Sequence, residues 1–421
     1  HKDTSSLILA GAGSGKTRTL TYKIAYLVYG IWVSSDAIFA VTFTNKAAGE
    51  MKERLTEIAN DIEQQLTHHQ NNTADPFEDL LSSHTYKKSF PRIGTFHSLF
   101  LKFLKIELPW SNTSESIGYT SNFGVYDDGE SKSLIKKIIW QKKLEEKIEL
   151  DLAKGMISKR KNQGITPQKY ATMTKFPTDD LLLEIYKAYE KELIKSNMMD
   201  FDDLLLQPYL LLREHDHILE KRQSKFQHIL VDEAQDTNRI QFELMKLLTW
   251  GKAIVTFIGD DFQSIYRRRG AMMDNFLKVW SIRSDMKMFK LQTNYRSKPH
   301  IVQASNQIIK NNQKQYEKSV VAHRSGDDKI VVIQHGDEID EAKHVIELIG
   351  KLKEEKKKHR EQFAILYRKN ALSSWLEQQL IMEGIPYKIY GGLKFLERKE
   401  VKDILSYIKY LANPKDNVAL K

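Results

Sequence analysis

The sequence predicts an α/β protein built on parallel sheets and interrupted by a mostly helical insert, and three observations carry that prediction. Short apolar runs alternate with segments of helical periodicity, as strands alternate with the helices that cross between parallel neighbours. The first run ends in a glycine-rich turn that leads straight into a helical pattern. From about residue 127 to 222 the pattern is almost wholly helical, rich in lysine and poor in strand-like runs. At roughly 150 residues per domain, the 421 residues give a prior of about three domains.

In chain order, Leu7-Ile8-Leu9-Ala10 is the first strand. Leu20, Ile24, Leu27 and Val28 then recur at helical spacing until Gly30 stops the pattern. Residues 37–43 form a second apolar run, followed by Ala47, Met51, Leu55 and Ile58 on one helical face. Further strands are expected at 226–231, 253–258, 330–333 and 363–367. The polar stretches 67–75 and 111–122 read as exposed loops. His68 and His69 fall in the first; adjacent histidines point apart and no carboxylate cluster accompanies them, so no metal site is expected there. Residues 351–360 read as a solvated helix face, and Phe96 and Phe100 as core.

A net charge of +10 favours a polyanionic partner such as nucleic acid. Hydrophobic residues make up 41% of the chain, enough for folded cores, so wholesale disorder is excluded. With no cysteine there is no disulfide, no thiolate nucleophile and no Cys-ligated metal. No apolar run approaches the roughly 18 residues a membrane helix needs, so no membrane contact is expected and the cytoplasm is the expected compartment.

Chemistry is concentrated in two tracts. Ala10-Gly11-Ala12-Gly13-Ser14-Gly15-Lys16-Thr17 has the spacing of a phosphate-binding loop, with Ala10 where a glycine is usual. Its glycines let backbone N–H groups turn toward phosphate, and the helix that follows adds a favourable dipole. Lys16 then reaches the β- and γ-phosphates of a nucleotide such as ATP, and the Thr17 hydroxyl ligates Mg²⁺. The acidic partner of such a loop stands at the end of an apolar strand, in His228-Ile229-Leu230-Val231-Asp232-Glu233. Asp232 is expected to hold Mg²⁺ through water and Glu233 to polarise the attacking water. Two adjacent carboxylates at a strand end are costly unless a cation lies nearby.

The tract Asp232-Glu233-Ala234-Gln235-Asp236-Thr237-Asn238 resembles the second motif of superfamily 1 helicases of the UvrD, Rep and PcrA type. Other tracts resemble the same family in order: Phe43-Thr44-Asn45-Lys46-Ala47-Ala48, Gly94-Thr95-Phe96-His97-Ser98, Asp200-Phe201-Asp202-Asp203-Leu204, Gly259-Asp260-Asp261-Phe262-Gln263-Ser264-Ile265-Tyr266-Arg267-Arg268-Arg269-Gly270-Ala271, and Gln292-Thr293-Asn294-Tyr295-Arg296-Ser297. Residues 364–371 and 390–403 resemble the opening of the second motor domain. The resemblance implies P-loop RecA-like sheets in two motor domains. The first would span 1–98 and 205–284 around a helical insert at 99–204, and an incomplete second would span 285–421.

By that resemblance Tyr295 stacks on adenine with Arg18 near the base, Gln263 senses the γ-phosphate, and Arg296 acts as an arginine finger from the second domain. A planar, always-charged guanidinium suits a transition state that spreads charge over three oxygens. The resemblance also places Phe43, Thr95, His97, Tyr266, Arg268 and Arg269 against single-stranded DNA, with Arg368 and Asn370 from the second domain. Aromatic faces stack on any base and cations follow the backbone. Arg268 stands where the family usually has an aromatic; pointing to solvent or pairing with a carboxylate is its alternative.

The implied activity is 3′→5′ movement on single-stranded DNA driven by ATP and Mg²⁺, with 3′-tailed duplex as substrate, in DNA repair or replication. A helicase part of a recombination nuclease and an ATP-gated DNA binder that does not unwind are the alternatives; protein partners are not legible. The sequence departs from the family in having no Gln-containing segment ahead of the P-loop. The family's motifs V and VI would lie past its last residues, so a piece of a longer protein is expected.

Overall fold

The apolar runs form the strands of one parallel sheet. In the computed structural model, which describes residues 4–70, 91–109, 117–173, 176–249, 252–264, 286–312, 315–327, 329–356, 363–369, 372–390 and 399–412, β1 (Ser6–Ala10) and β2 (Ile38–Thr42) are buried along their whole length. They are joined by α1 (Lys16–Ala25), whose last turn widens into a single π-helical turn, Tyr26–Gly30. Helix α2 (Asn45–Gln70) leads on from β2, and β3 is Arg92–Thr95. Because α2 runs to Gln70, His68 and His69 are helical rather than in the loop that their polarity suggested; the rest of that stretch, 71–75, lies outside the described residues.

The insert then departs from the sheet. Helix α3 (Phe96–Glu107) buries Phe96 and Phe100, as expected of core residues. The short strands β4 (Gly124–Val125) and β5 (Met198–Met199) pair with each other and bracket the helices α4 (Asp128–Gln141), α5 (Leu150–Lys161), α6 (Pro167–Ala171) and α7 (Pro177–Lys195). Asp127 and Glu130 start α4 with reciprocal side-chain caps. These helices enclose their own apolar core around Ile135, Tyr186 and Leu193, separate from the cores on the two faces of the sheet. Lys161, wholly buried, pairs with Glu190 at 2.7 Å and with Asp200 and Asp203 at 2.8 Å each. It fastens the end of α5 to α7 and to the acidic turn before α8 (Asp203–Glu214).

After α8 and α9 (Asp216–Lys225) the chain returns to the sheet with β6 (His228–Val231), α10 (Arg239–Thr249) and β7 (Ile254–Gly259). The last strand, β8 (Lys287–Leu291), completes the order β3-β2-β6-β7-β1-β8, all neighbours parallel. Every carboxyl end therefore faces the same edge, where α/β sheets bind ligands. Residues 287–291, where the sequence reading begins a second motor domain, are hydrogen-bonded to β1 at the edge of the first sheet. The chain continues through β9 (Thr293–Asn294), α11 (Pro299–Ile309) and β10 (Val321–Ala322), with β9 and β10 paired.

A second, smaller unit lies within Lys329–Ala412. Its described elements are the helices α12 (Glu338–Lys356), α13 (Ser373–Met382) and α14 (Lys399–Ala412). The expected strands at 330–333 and 363–367 do not form: these residues join no sheet among the described residues. Val332 is 90% and Leu366 94% exposed. Apolar composition predicts a strand only where a partner edge supplies its hydrogen bonds.

Candidate nucleotide and DNA site

The glycine-rich loop leaves β1 and turns on two left-handed residues, Gly13 at φ 65° and Gly15 at φ 87°, the latter capping α1. A side chain at Gly13 is excluded twice, because a Cβ there would sit 2.7 Å from the Cβ of Arg296. Gly11 is as tight: its Cβ would fall 2.6 Å from a methyl of Val320. Ala10 is fully buried at the end of β1, and Ala12 is exposed at the crest of the loop. The Ser14 hydroxyl donates to the Gly11 carbonyl at 2.8 Å.

Lys16 and Thr17 begin α1 and face the end of β6. The Thr17 hydroxyl donates to Asp232 Oδ2 at 3.3 Å, which brings the two expected Mg²⁺ residues together. Lys16 Nζ lies 2.9 Å from Glu233 Oε2, yet it is buried without an aligned hydrogen bond, as an ammonium reserved for a further oxyanion would be. Glu233 adopts a left-handed backbone, φ 48°, which a non-glycine residue holds only under local constraint. Burial, with the charge of Glu233 second, pushes the Asp232 carboxyl up to about 6. The same causes raise Asp236 to about 7. Carboxylates so crowded suit a site completed by a cation. No cluster of three or more His, Asp or Glu suited to a metal occurs among the described residues. Thr17 and Asp232 fit Mg²⁺ only together with phosphate oxygens, as a P-loop does.

A hydrogen-bond chain continues from this pair to the end of β7. Gln235 Nε2 donates to Glu233 Oε2 at 2.8 Å, and Gln235 Oε1 accepts from the Asp260 N–H at 2.9 Å. Asp260 Oδ2 in turn accepts from Gln263 Nε2 at 2.7 Å. Gln263 is thus tied to Glu233 through two intermediaries, Gln235 and Asp260.

The Asn-Tyr-Arg tract seats directly on the P-loop. Asn294 Nδ2 donates to the Ala12 carbonyl at 2.7 Å, and the Tyr295 N–H donates to the Gly13 carbonyl at 3.0 Å. Asn294 Oδ1 accepts from the Arg296 and Ser297 N–H groups. Arg296 thus lies against the P-loop, in the compact unit that runs to Asp328. The β8–β9 edge that carries it is part of the first sheet's end. Beside it opens a cleft of about 710 Å³ lined by Gly13, Arg18, Tyr22, Gln292 and Tyr295. Arg18 lies 5.4 Å from the Tyr22 ring centre, and Tyr295 is 54% exposed. Those planar groups fit a purine. Tyr22, Gln292 and Asn294 were not singled out from sequence; an aromatic one turn after Arg18 was the available signal for Tyr22. A second cavity, about 500 Å³ around Phe39, Arg92 and Phe103, lies where β2 and β3 begin, away from this chemistry.

Of the residues expected against DNA, Phe43 and His97 stand half-buried at the carboxyl ends of β2 and β3. Thr95 caps α3, its hydroxyl accepting from the Ser98 N–H at 3.3 Å. The His97 ring stacks on Phe201 with centres 3.9 Å apart, and Phe201 is itself 57% exposed. Burial pushes His97 down to about 4, so it is neutral at pH 7. Phe201 stands among three aspartates in the sequence, where nothing marks it as an aromatic surface. Arg368 is exposed in the smaller unit. Tyr266, Arg268, Arg269 and Asn370 lie outside the described residues.

The fold and this loop define a P-loop nucleotide-binding protein of the RecA-like α/β class. The UvrD/REP helicase N-terminal domain is matched over residues 1–282 and the UvrD-like helicase C-terminal domain over 289–421, so the chain belongs to the UvrD/REP helicase family. It is 37% identical over 416 residues to the ATP-dependent DNA helicase PcrA of Staphylococcus epidermidis, covering 99% of this chain and 53% of that protein. To the ATP-dependent DNA helicase Rep of Salmonella typhimurium it is 38% identical over 414 residues, covering 98% and 57%. PcrA of Bacillus subtilis is 36% identical over 418 residues, covering 99% and 52%. The chain spans about half the length of these relatives.

Proposed function

We propose that this chain carries the ATP-hydrolysing and single-strand-binding part of a DNA helicase that moves 3′→5′ and separates 3′-tailed duplex, in the cytoplasm and in the service of DNA repair or replication. The observation that carries the reading is the meeting of Lys16 with Glu233 at 2.9 Å and of Thr17 with Asp232 at 3.3 Å. In this reading Lys16 turns its ammonium to the β- and γ-phosphates of ATP, freeing Glu233 to accept a proton from the attacking water. Thr17 and Asp232 hold Mg²⁺, which when bound neutralises charge on the phosphate oxygens. Gln263 and Arg296 serve the γ-phosphate, while Tyr295 stacks on the base with Arg18 near it.

Phe43, Thr95, His97 and Phe201 line the path of the strand at the carboxyl ends of β2 and β3. Tyr266, Arg268, Arg269, Arg368 and Asn370 are assigned to the same path on resemblance. The parallel end of the sheet supports this reading, since nucleotide and strand then act on one edge. No helix among the described residues is long and apolar enough to cross a membrane. The test is strand displacement by the product of the whole gene on duplexes with a 3′ or a 5′ tail. ATP-dependent displacement of the 3′-tailed duplex alone supports the reading, and displacement confined to the 5′-tailed duplex overturns its polarity.

A further inference from the structure

Lys318 follows α11 in an unremarkable polar stretch, Gln315-Tyr316-Glu317-Lys318-Ser319, yet its side chain is wholly buried. Its ammonium lies 2.5 Å from Asp260 Oδ1 and 2.5 Å from Asp261 Oδ1, and both carboxylates are also buried. It sits 4.0 Å from the centre of the Phe262 ring. One cation thus holds three successive residues of the turn after β7. The same carboxylates are the turn's scaffold. Asp260 accepts from the Phe262 N–H and from the Gln263 side chain, and Asp261 Oδ2 accepts from the Tyr316 N–H at 2.7 Å. Two residues beyond Lys318, Val320 packs against Gly11 of the P-loop. A single segment, 316–320, therefore grips both the phosphate loop and the turn that presents Gln263.

We propose that Lys318 is a positioning residue of the nucleotide site: by neutralising Asp260 and Asp261 it sets the turn after β7 so that Gln263 distinguishes a nucleoside triphosphate from a diphosphate. The inference rests on the proposed nucleotide-hydrolysing reading and deepens it. Two buried carboxylates left without their cation repel each other and recruit other donors, and the nearest movable donor is the Gln263 amide already on Asp260. The turn then loses the setting that lets this amide meet a third phosphate. Binding of a diphosphate, held by the P-loop and the purine cleft, does not depend on that turn.

The experiment measures, with Mg²⁺ present, the affinities of the chain for ADP and for a non-hydrolysable ATP analogue by displacement of a fluorescent nucleotide. Parent, Lys318→Arg, Lys318→Met and the charge-balanced Lys318→Met/Asp261→Asn are compared, each with its melting temperature. For Lys318→Met the preference for the triphosphate falls about tenfold, the worth of roughly one charge-assisted hydrogen bond, while ADP affinity stays within about twofold. Lys318→Arg retains most of the preference. The double variant regains melting temperature without regaining the preference, which separates positioning from stability. If Lys318→Met does not fold, the double variant decides alone. A parental triphosphate preference in the folded variants, or equal loss for both nucleotides, overturns the proposal. A parent chain that binds neither nucleotide defeats the nucleotide-site reading itself, a distinguishable result.

Discussion

His97 shows what one side chain's surroundings do to its chemistry. Stacked on Phe201, it is held near 4 by burial, against 6.5 for a free imidazole. Between those values the unfolded chain binds the extra proton and the folded chain does not. Stability from this group is therefore fully present above about pH 6.5 and is lost as pH falls towards 4, by up to about 1.4 kcal/mol per pH unit. Asp232 and Asp236 are shifted upward and act with the opposite sign, so only a difference isolates His97. Urea unfolding of parent and His97→Gln at several pH values gives it: the parent's advantage should grow from pH 5 to about 6.5 and then level off. A difference independent of pH would mean that the folded imidazole titrates normally. On the proposed strand path a neutral His97 would present an uncharged ring, so its contribution to DNA binding should show little salt dependence, unlike that of a lysine or arginine.

At the scale of elements, the P-loop and the Asn-Tyr-Arg tract are one packed object. Gly13→Ala introduces a methyl 2.7 Å from the Arg296 Cβ on a backbone at φ 65°. It should cost about 1–2 kcal/mol of stability and weaken nucleotide binding by breaking the Asn294–Ala12 bond; calorimetric melting and nucleotide titration check both. The Lys16, Thr17, Asp232 and Glu233 quartet was readable because the motif's spacing dictates the turn and the strand end that bring these residues together. Strands β1, β2, β6 and β7 were readable because sheet interiors demand unbroken apolar runs. Strand β3, Arg-Ile-Gly-Thr, and edge strand β8, Lys-Met-Phe-Lys-Leu, carry no such run. They are strands because a paired neighbour was already there. Residues 330–333 show the converse: apolar, but with no ladder among the described residues. Lys318 was beyond reading, because a lysine between polar residues looks solvated until the fold sets it between two aspartates.

Across the whole molecule, the helical insert is hydrogen-bonded to the tract that begins with Asp232 rather than merely tethered to it. Asn162, at the end of α5, accepts from Asn238 Nδ2 at 2.6 Å and donates to Asp202 at 2.7 Å, and its carbonyl accepts from the Ile240 N–H. Asn238 closes the tract that begins with Asp232. Asp202 adjoins Phe201, which stacks on His97. A path of packed and hydrogen-bonded groups thus joins the aromatic surface to the carboxylates, and two sites joined in this way can bias each other. Asn162→Ala should lower the stimulation of ATP turnover by single-stranded DNA several-fold while sparing turnover without DNA; steady-state assays with and without an oligonucleotide decide. Equal loss in both would assign Asn162 a structural role only.

In the proposed function Glu233, held against Lys16 on a left-handed backbone, is the residue that activates water at the nucleotide site. The measurement that tests it most directly is ATP turnover by Glu233→Gln in the presence of single-stranded DNA, alongside its affinity for ATP. The amide keeps the shape of the side chain but cannot accept the proton, so turnover should fall at least about 100-fold, the scale of general-base catalysis, with ATP affinity within a few-fold of the parent. Turnover at the parental rate would contradict the account.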